Sequence, residues 1–334
     1  MQRAIPNMIQ ANSLFSGTHP NIRVSTSHQL FTTLINRALS HAPVPYALVW
    51  PCEEHALAGP LDAAEKGIIQ PVLIGDEACI RKTALQYKIN LAPYQIIHAS
   101  TPQQAVQMAI ELVKTGHVQG IMKGSLHTDT LMHAVVNPAN GLSTERRISH
   151  VFLLAVPNYK NLLFVTDAAI NIFPDLLTKR DIVQNAIDLH VGLGLGQPKV
   201  AILSAVEVIN PKIPSTLDAA SLCKMAERGQ ITGGVLDGPL AMDNAINPEA
   251  ARIKGLASAV AGQAQILVTP DLEAGNMLAK NLVFMAGAET AGIALGAKVP
   301  IVLTSRADSV QARLASAAIG ALYARHLAQQ DAAF

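Results

Sequence analysis

The chain has little charge, few aromatics and almost no cysteine. Of its 334 residues only 15% are charged, and 25 Lys and Arg against 24 Asp and Glu leave a net charge of +1. Globular domains usually carry about a quarter charged residues. A chain this neutral has no overall field to hold it on nucleic acid or on an anionic membrane. Any anionic ligand must therefore be met by a local basic cluster. Aromatics make up 4%, with a single Trp, so the interior is built from Ala, Val, Ile and Leu, as in buried parallel sheets. The 50% hydrophobic content excludes disorder. Cys52, Cys79 and Cys223 are too few and too scattered for a disulfide framework or a CxxC zinc site, and they point to a reduced, cytoplasmic protein. No stretch reaches the ~18 apolar residues of a membrane span. The N-terminal residues lack a signal-peptide apolar run, and 1–24 read as a loose arm.

What the chain does have is alternation. Apolar runs of strand length take turns with helical patterns, the signature of an α/β protein with a largely parallel sheet. The first helix starts near Thr26, where Gln29 gives capping-box spacing. Strands are expected at Pro45–Trp50, Val72–Gly75, Gln95–His98, Gly120–Met122, His150–Val156, Leu162–Val165, Lys199–Leu203, Gly233–Leu236, Gln265–Val268 and Val299–Thr304. Helices are expected at Glu54–Gly67, Arg81–Gln86, Pro102–Lys114, Thr128–Val136, Leu176–Leu193, Leu217–Arg228, Asn276–Met285 and Ser309–Ala328. Asn137–Glu145 and Gly292–Ala297 read as linkers. Two crossings divide the chain into a first α/β domain, 25–147 plus 298–334, and a second, 148–297.

Ligands of open parallel sheets bind outside the carboxyl ends of the strands. Those ends here carry Lys123-Gly124-Ser125, Thr166-Asp167, Asp237-Gly238, Asp271-Leu272-Glu273 and Thr304-Ser305-Arg306, and all are expected to face a common cleft. Ser305 and Arg306 fall between a strand end and a helix that Asp308 and Gln311 have the spacing to cap. Free N–H groups favour an anion there, and Arg306 adds a planar fork for phosphate or carboxylate.

Other motifs fail on spacing. Lys123-Gly124-Ser125 lacks the rest of a nucleotide P-loop. Gly192–Gly196 puts Gln197 where a dinucleotide fingerprint needs glycine, and it follows a helix rather than a strand. His127, His133 and His150 have no metal-ligand spacing, so no metal is expected. There is no GxSxG elbow. Cys223, beside Leu222 and Met225, reads as core.

Seven collinear motifs then carry a resemblance: MKGSLHT (122–128), ISHVFLLAVP (148–157), TDAAINIFPD (166–175), LSAVEVINPKIPSTLDAA (203–220), DGPLAMDNA (237–245), PDLEAGNMLAK (270–280) and TSRADS (304–309). Together they resemble the phosphate acetyltransferase/phosphate butyryltransferase family over roughly residues 28–328. The resemblance implies two α/β domains around a central cleft, an isocitrate/isopropylmalate dehydrogenase-like fold and a homodimer. It implies the reaction acyl-CoA + phosphate ⇌ acyl phosphate + CoA, with acetyl or butyryl as the acyl group. Coenzyme A is then a substrate and no cofactor is permanently bound.

By the same resemblance Ser305 donates to the acyl oxygen and Arg306 clamps phosphate. Lys123, Thr128 and Arg147 come next as ligands of phosphate or of the CoA phosphates. The other polar positions of the motifs, Gly124, His127, His133, Arg146, Asp167, Asn171, Asp237, Glu273 and Asn276, complete the candidate substrate-binding set. The chain departs from the family in three places. Ala312 stands where the acetyltransferase branch has its thiol base, which leaves Asp308, Asp167 or no base at all. His133 replaces an Arg or Lys, and Ser143 replaces the Arg of a GLRT motif, with Arg146 and Arg147 near enough to restore the charge. The rival functions are a metal- and NAD-dependent hydroxy-acid dehydrogenase and a non-catalytic CoA- or acyl-phosphate-binding protein. The former would need an aspartate cluster and a dinucleotide loop.

Overall fold

The computed structural model describes residues 26–139, 141–304 and 308–332. The N-terminal residues 1–25, Asn140 and the Ser305–Arg306 pair lie outside them. In chain order the elements are α1 (Thr26–Leu39), β1 (Val44–Val49), α2 (Glu54–Glu65), β2 (Ile69–Gly75), α3 (Glu77–Gln86), β3 (Gln95–His98), α4 (Pro102–Lys114), β4 (Ile121–Lys123) and α5 (Thr128–Val135). There follow β5 (Ser149–Ala155), β6 (Leu163–Thr166), α6 (Leu176–Gly192), β7 (Lys199–Leu203), α7 (Pro214–Glu227), β8 (Val235–Leu240), α8 (Met242–Ile246) and α9 (Pro248–Ile253). The chain closes with β9 (Ile266–Val268), α10 (Leu272–Phe284), β10 (Glu289–Leu295), β11 (Ile301–Val302) and α11 (Val310–Asp331).

All strands join one eleven-stranded mixed sheet in the order β3-β2-β1-β4-β11-β10-β5-β6-β9-β7-β8. From β3 to β11 the neighbours are parallel. Strand β10 is antiparallel to both β11 and β5, and β5 is antiparallel to β6. From β6 to β8 the pairing is parallel again. Three reversals at the seam therefore make β6, β9, β7 and β8 run opposite to β1–β4 and β11. Their carboxyl ends open on the opposite edge of the sheet. The sheet is largely parallel, as expected, with seven of its ten pairings parallel, but the seam corrects the expectation that every strand end faces one cleft.

The other corrections are local. Gly292–Ala297 is no linker, because its first four residues finish β10, which pairs over seven residues with β5. Its small residues are what a strand buried on both faces by helices requires, and β10 is buried from Ala291 to Leu295. The last helix is capped one residue later than expected: Ser309, not Asp308, accepts from the Ala312 N–H. Helix α10 starts earlier, capped by Asp271 on the Ala274 N–H, and α7 starts at Pro214, a residue suited to the first helical position. The one-turn helices α8 and α9 were not foreseen.

The core is aliphatic, as the composition requires. Leu48, Leu57, Leu61, Leu73, Ile80 and Phe164 are sealed inside it. Strand β11, near the end of the chain, lies beside β4, and α11 packs on α1, α2 and β10. The C-terminal helix thereby brings its first turn to the ends of β4 and β11.

Candidate active site

Three helices begin around one cleft of about 730 Å³. Helix α2 brings Glu53, His55 and Ala56, α5 brings His127, Thr128 and Asp129, and α11 brings Asp308, Ser309, Gln311, Ala312 and Arg313. The N-cap positions of α2 and α5, Glu53 and His127, make no side-chain cap bond, so first-turn N–H groups remain available. Three N-termini together give a positive end to the cleft without a positive chain.

Lys123 stands where β4 ends. Its Nζ donates to the Gly124 and Leu126 carbonyls at 3.2 and 3.3 Å, which folds the ammonium over the turn at the cleft. Gly124 is required there. A Cβ at that position would overlap the carbonyl oxygens of Val49 and Trp50, the latter at 2.6 Å. Those groups belong to the end of β1, and the Gly124 and Ser125 N–H groups donate to them at 2.8 Å each. The turn is thus clamped to the neighbouring strand. Arg313 is 5% exposed, and its stem lies across Gly59 of α2.

The opposite wall is apolar and comes from the second half of the sheet. Phe152 on β5, Ala279, Val283 and Phe284 on α10, and Ala288 line it, with Lys280, Glu289 and Thr290 beside them. Thr304 and Asp308, which flank the undescribed residues 305–307, both line the cleft.

Of the residues singled out from the sequence, the fold gathers Lys123, Gly124, His127, Thr128 and Asp308 in this cleft. The rest, apart from Ser305 and Arg306, which lie outside the described residues, are placed elsewhere. His133 is exposed on α5, away from the lining. Arg146 pairs with Asp188 of α6. Arg147 is tied through its backbone, its N–H to Asp181 and its carbonyl to Asn185. Asp167 is 2% exposed and accepts from the Ala169, Ile170 and Asn171 N–H groups and from Asn171 Nδ2 at 2.6 Å. That carboxylate and Asn171, which also donates to the Ile148 carbonyl, hold the loop after β6. Asp237 caps the Gly238 N–H on the edge strand β8. Glu273 is exposed in the first turn of α10, and Asn276 donates to the Ala168 carbonyl at 3.1 Å. The reversed strand direction explains Asp167, Asn171, Asp237, Glu273 and Asn276, which lie on or follow strands that end on the other edge, whereas His133 faces out from α5 and Arg146 and Arg147, ahead of β5, are tied to α6.

His150 was considered from the sequence only as a metal ligand. It lines the cleft floor and is 2% exposed. Burial draws its pKa down to about 4, with the Asp167 charge pushing weakly the other way, so the ring is neutral at pH 7. Glu53, Glu289, Lys280 and Arg313 were not anticipated either. Their signal in the sequence is too weak to find, because none stands at the carboxyl end of a strand and only the packing of α2, β10, α10 and α11 brings them in. Among the described residues no cluster of three or more metal-ligating side chains occurs. Burial pushes the Cys52 and Cys223 thiols up to about 12, so both stay protonated at neutral pH.

The family model described as Phosphate acetyl/butaryl transferase matches residues 97–321. A phosphate acetyltransferase of Rhizobium meliloti is 60% identical over 304 residues, 91% of this chain and 96% of that protein. A phosphate butyryltransferase of Clostridium acetobutylicum is 41% identical over 294 residues, 88% of this chain and 98% of that one. Among solved structures, a branched-chain phosphotransacylase from Enterococcus faecalis V583 superposes with a TM-score of 0.74 at 30% identity, covering 85% of this chain and 99% of that chain.

Proposed function

The chain belongs to the phosphate acetyl/butyryl transferase family, and on that premise we propose that it is a phosphate acetyltransferase, catalysing acetyl-CoA + phosphate ⇌ acetyl phosphate + CoA. The observation that carries this reading is 60% identity with a phosphate acetyltransferase along nearly the full length of both chains. Phosphate butyryltransferase is the second reading. It is favoured by the 41% identity to such an enzyme and by the apolar wall of Phe152, Val283 and Phe284.

The cleft suits the chemistry. In the direction of acyl-CoA synthesis the CoA sulfur forms a bond to the acyl carbonyl carbon, and the bond from that carbon to the phosphate oxygen breaks. The departing phosphate needs cations and N–H donors, which Lys123, Arg306 and the N-termini of α5 and α11 would supply. Negative charge gathers on the acyl oxygen in passing, and Ser305 would donate to it. Asp308 at the cleft edge is our candidate to take the thiol proton. Ser305 and Arg306 enter this account from the sequence, as neither is among the described residues. Arg313, buried beside the same helix terminus, adds positive charge to the phosphate end.

Three further parts of the proposal rest on family membership. The first is two lobes flanking the cleft, 25–147 with 298–334 and 148–297, as in isocitrate and isopropylmalate dehydrogenases. The strand order supports it, since β1–β4 with β11 fall in one lobe and β5–β10 in the other. The second is a homodimer, and the third a cytoplasmic location. Among the described residues no helix is long and apolar enough to cross a membrane.

The test is release of CoA from acetyl-, propionyl- and butyryl-CoA on addition of phosphate, followed with a thiol reagent. Phosphate-dependent release from acetyl-CoA supports the first reading, and preference for butyryl-CoA supports the second. Binding of CoA without turnover of any of the three would leave a non-catalytic binding protein.

A further inference from the structure

The cleft is lined by polar atoms that no group among the described residues satisfies. His150 Nδ1, Ser125 Oγ and Thr290 Oγ1 are each enclosed and have no hydrogen-bond partner among the described residues. All three side chains line the same cleft. They come from separate elements: β5, the turn after β4, and the second residue of β10. Buried polar atoms are nearly always paired, so three orphans around one cavity mark the place of a ligand.

His150 is the most constrained of the three. Its ring meets Phe152 edge-on, with centroids 4.4 Å apart and planes at 69°. It also crosses Gly292 of β10, where an added Cβ would lie 3.0 Å from Nε2 and 3.2 Å from Cε1. The glycine leaves room for the imidazole, and Phe152 fixes its tilt. The ring is therefore placed in advance, and in its neutral form it carries one N–H donor.

We propose that His150 is a further catalytic residue of this site, its ring N–H donating a hydrogen bond to the acyl carbonyl oxygen of the bound substrate, with the Ser125 and Thr290 hydroxyls beside it. The proposal rests on the phosphate acyltransferase reading given above. A neutral, pre-placed donor in a water-poor cleft suits an oxygen whose negative charge grows during reaction. Histidines kept neutral by their surroundings polarise carbonyl groups in other enzymes. No proton is transferred in this role, so it is compatible with Asp308 or another group receiving the thiol proton.

The experiment compares wild type, His150→Leu and His150→Asn at neutral pH, in both thermal melts and steady-state kinetics with acetyl-CoA and phosphate. The leucine variant is expected to melt at the wild-type temperature or above it, because an unsatisfied buried group is removed. Its kcat is expected to fall at least about tenfold, the effect of about 1.4 kcal/mol in the transition state, with little change in KM for either substrate. Asparagine can place its amide nitrogen near the position of Nδ1, and His150→Asn is expected to recover part of the loss. Wild-type kcat in the leucine variant would overturn the proposal. So would a loss of kcat that follows a loss of melting temperature in both variants, which is the pattern of a purely structural residue. A wild-type protein without phosphate-dependent CoA release would overturn the reaction reading together with this role, whereas an active wild type beside an equally active leucine variant overturns this role alone.

Discussion

The burial of His150 has a consequence for stability in acid that is independent of catalysis. In the unfolded chain the imidazole titrates near its ordinary value of 6.5, whereas in the fold burial holds it near 4. Between those values the unfolded chain binds a proton that the folded chain refuses, so a fall in pH favours unfolding. The contribution is intact above pH 6.5 and is lost progressively down to about 4. At 1.36 kcal/mol for each tenfold difference in proton affinity, the full effect is about 3 kcal/mol, and about 2 kcal/mol of it is lost between neutrality and roughly pH 5. Burial also lowers the pKa of His190, so wild type carries a second slope of the same sign that a change at 150 leaves in place. The assay is denaturant unfolding of wild type and His150→Leu at about pH 7.5 and about pH 5. His190 and the carboxylates other than Asp167, whose charge acts on His150, titrate in both proteins and cancel in the difference. The leucine variant is expected to gain about 2 kcal/mol on wild type as the pH falls. Parallel pH profiles would refute the reasoning, because they would mean that the folded imidazole accepts its proton as readily as the unfolded one.

Three other predictions concern the phosphate end of the cleft. Gly124→Ala forces a methyl group against the Val49 and Trp50 carbonyls and is expected to cost about 1–3 kcal/mol in denaturant unfolding, with a raised KM for phosphate. Ser305→Ala is expected to keep the melting temperature and lose at least about tenfold in kcat, and a wild-type kcat would reduce Ser305 to a turn residue. Arg306→Ala is expected to raise the phosphate KM and lower kcat, with Arg306→Lys restoring only part because a point charge replaces a planar fork; unchanged kinetics in the alanine variant would remove Arg306 from the site.

Much of the local structure was legible in advance. Strands β3 and β7 and helix α4 lie where the apolar pattern puts them, because each is bounded by residues with strong local preferences. Thr101, for example, caps the Gln104 N–H just before Pro102 opens α4. Strand β10 was missed. Its Glu-Thr-Ala-Gly-Ile-Ala-Leu is rich in small residues that look like a loop, and only burial under α11 explains them. The larger error about the site comes from the seam this strand opens, since its two antiparallel pairings and the antiparallel β5–β6 pair together reverse the strands from β6 to β8.

The sequence by itself determined the alternating α/β elements, the aliphatic core, the absence of a chain-wide field and, through seven collinear motifs, the reaction class. These follow from local pattern and from residue identity, which the chain carries wherever it is placed. Only the tertiary structure decided which polar strand ends meet. A strand's hydrophobic pattern is the same whichever way the strand points, so nothing local distinguishes Lys123 and Asp308, which face the cleft, from Asp167 and Asp237, which the reversal carries away. It also decided that His150 is buried and neutral, because that state depends on Phe152, on the bare Cα of Gly292 and on the covering elements, which the sequence does not show to be neighbours.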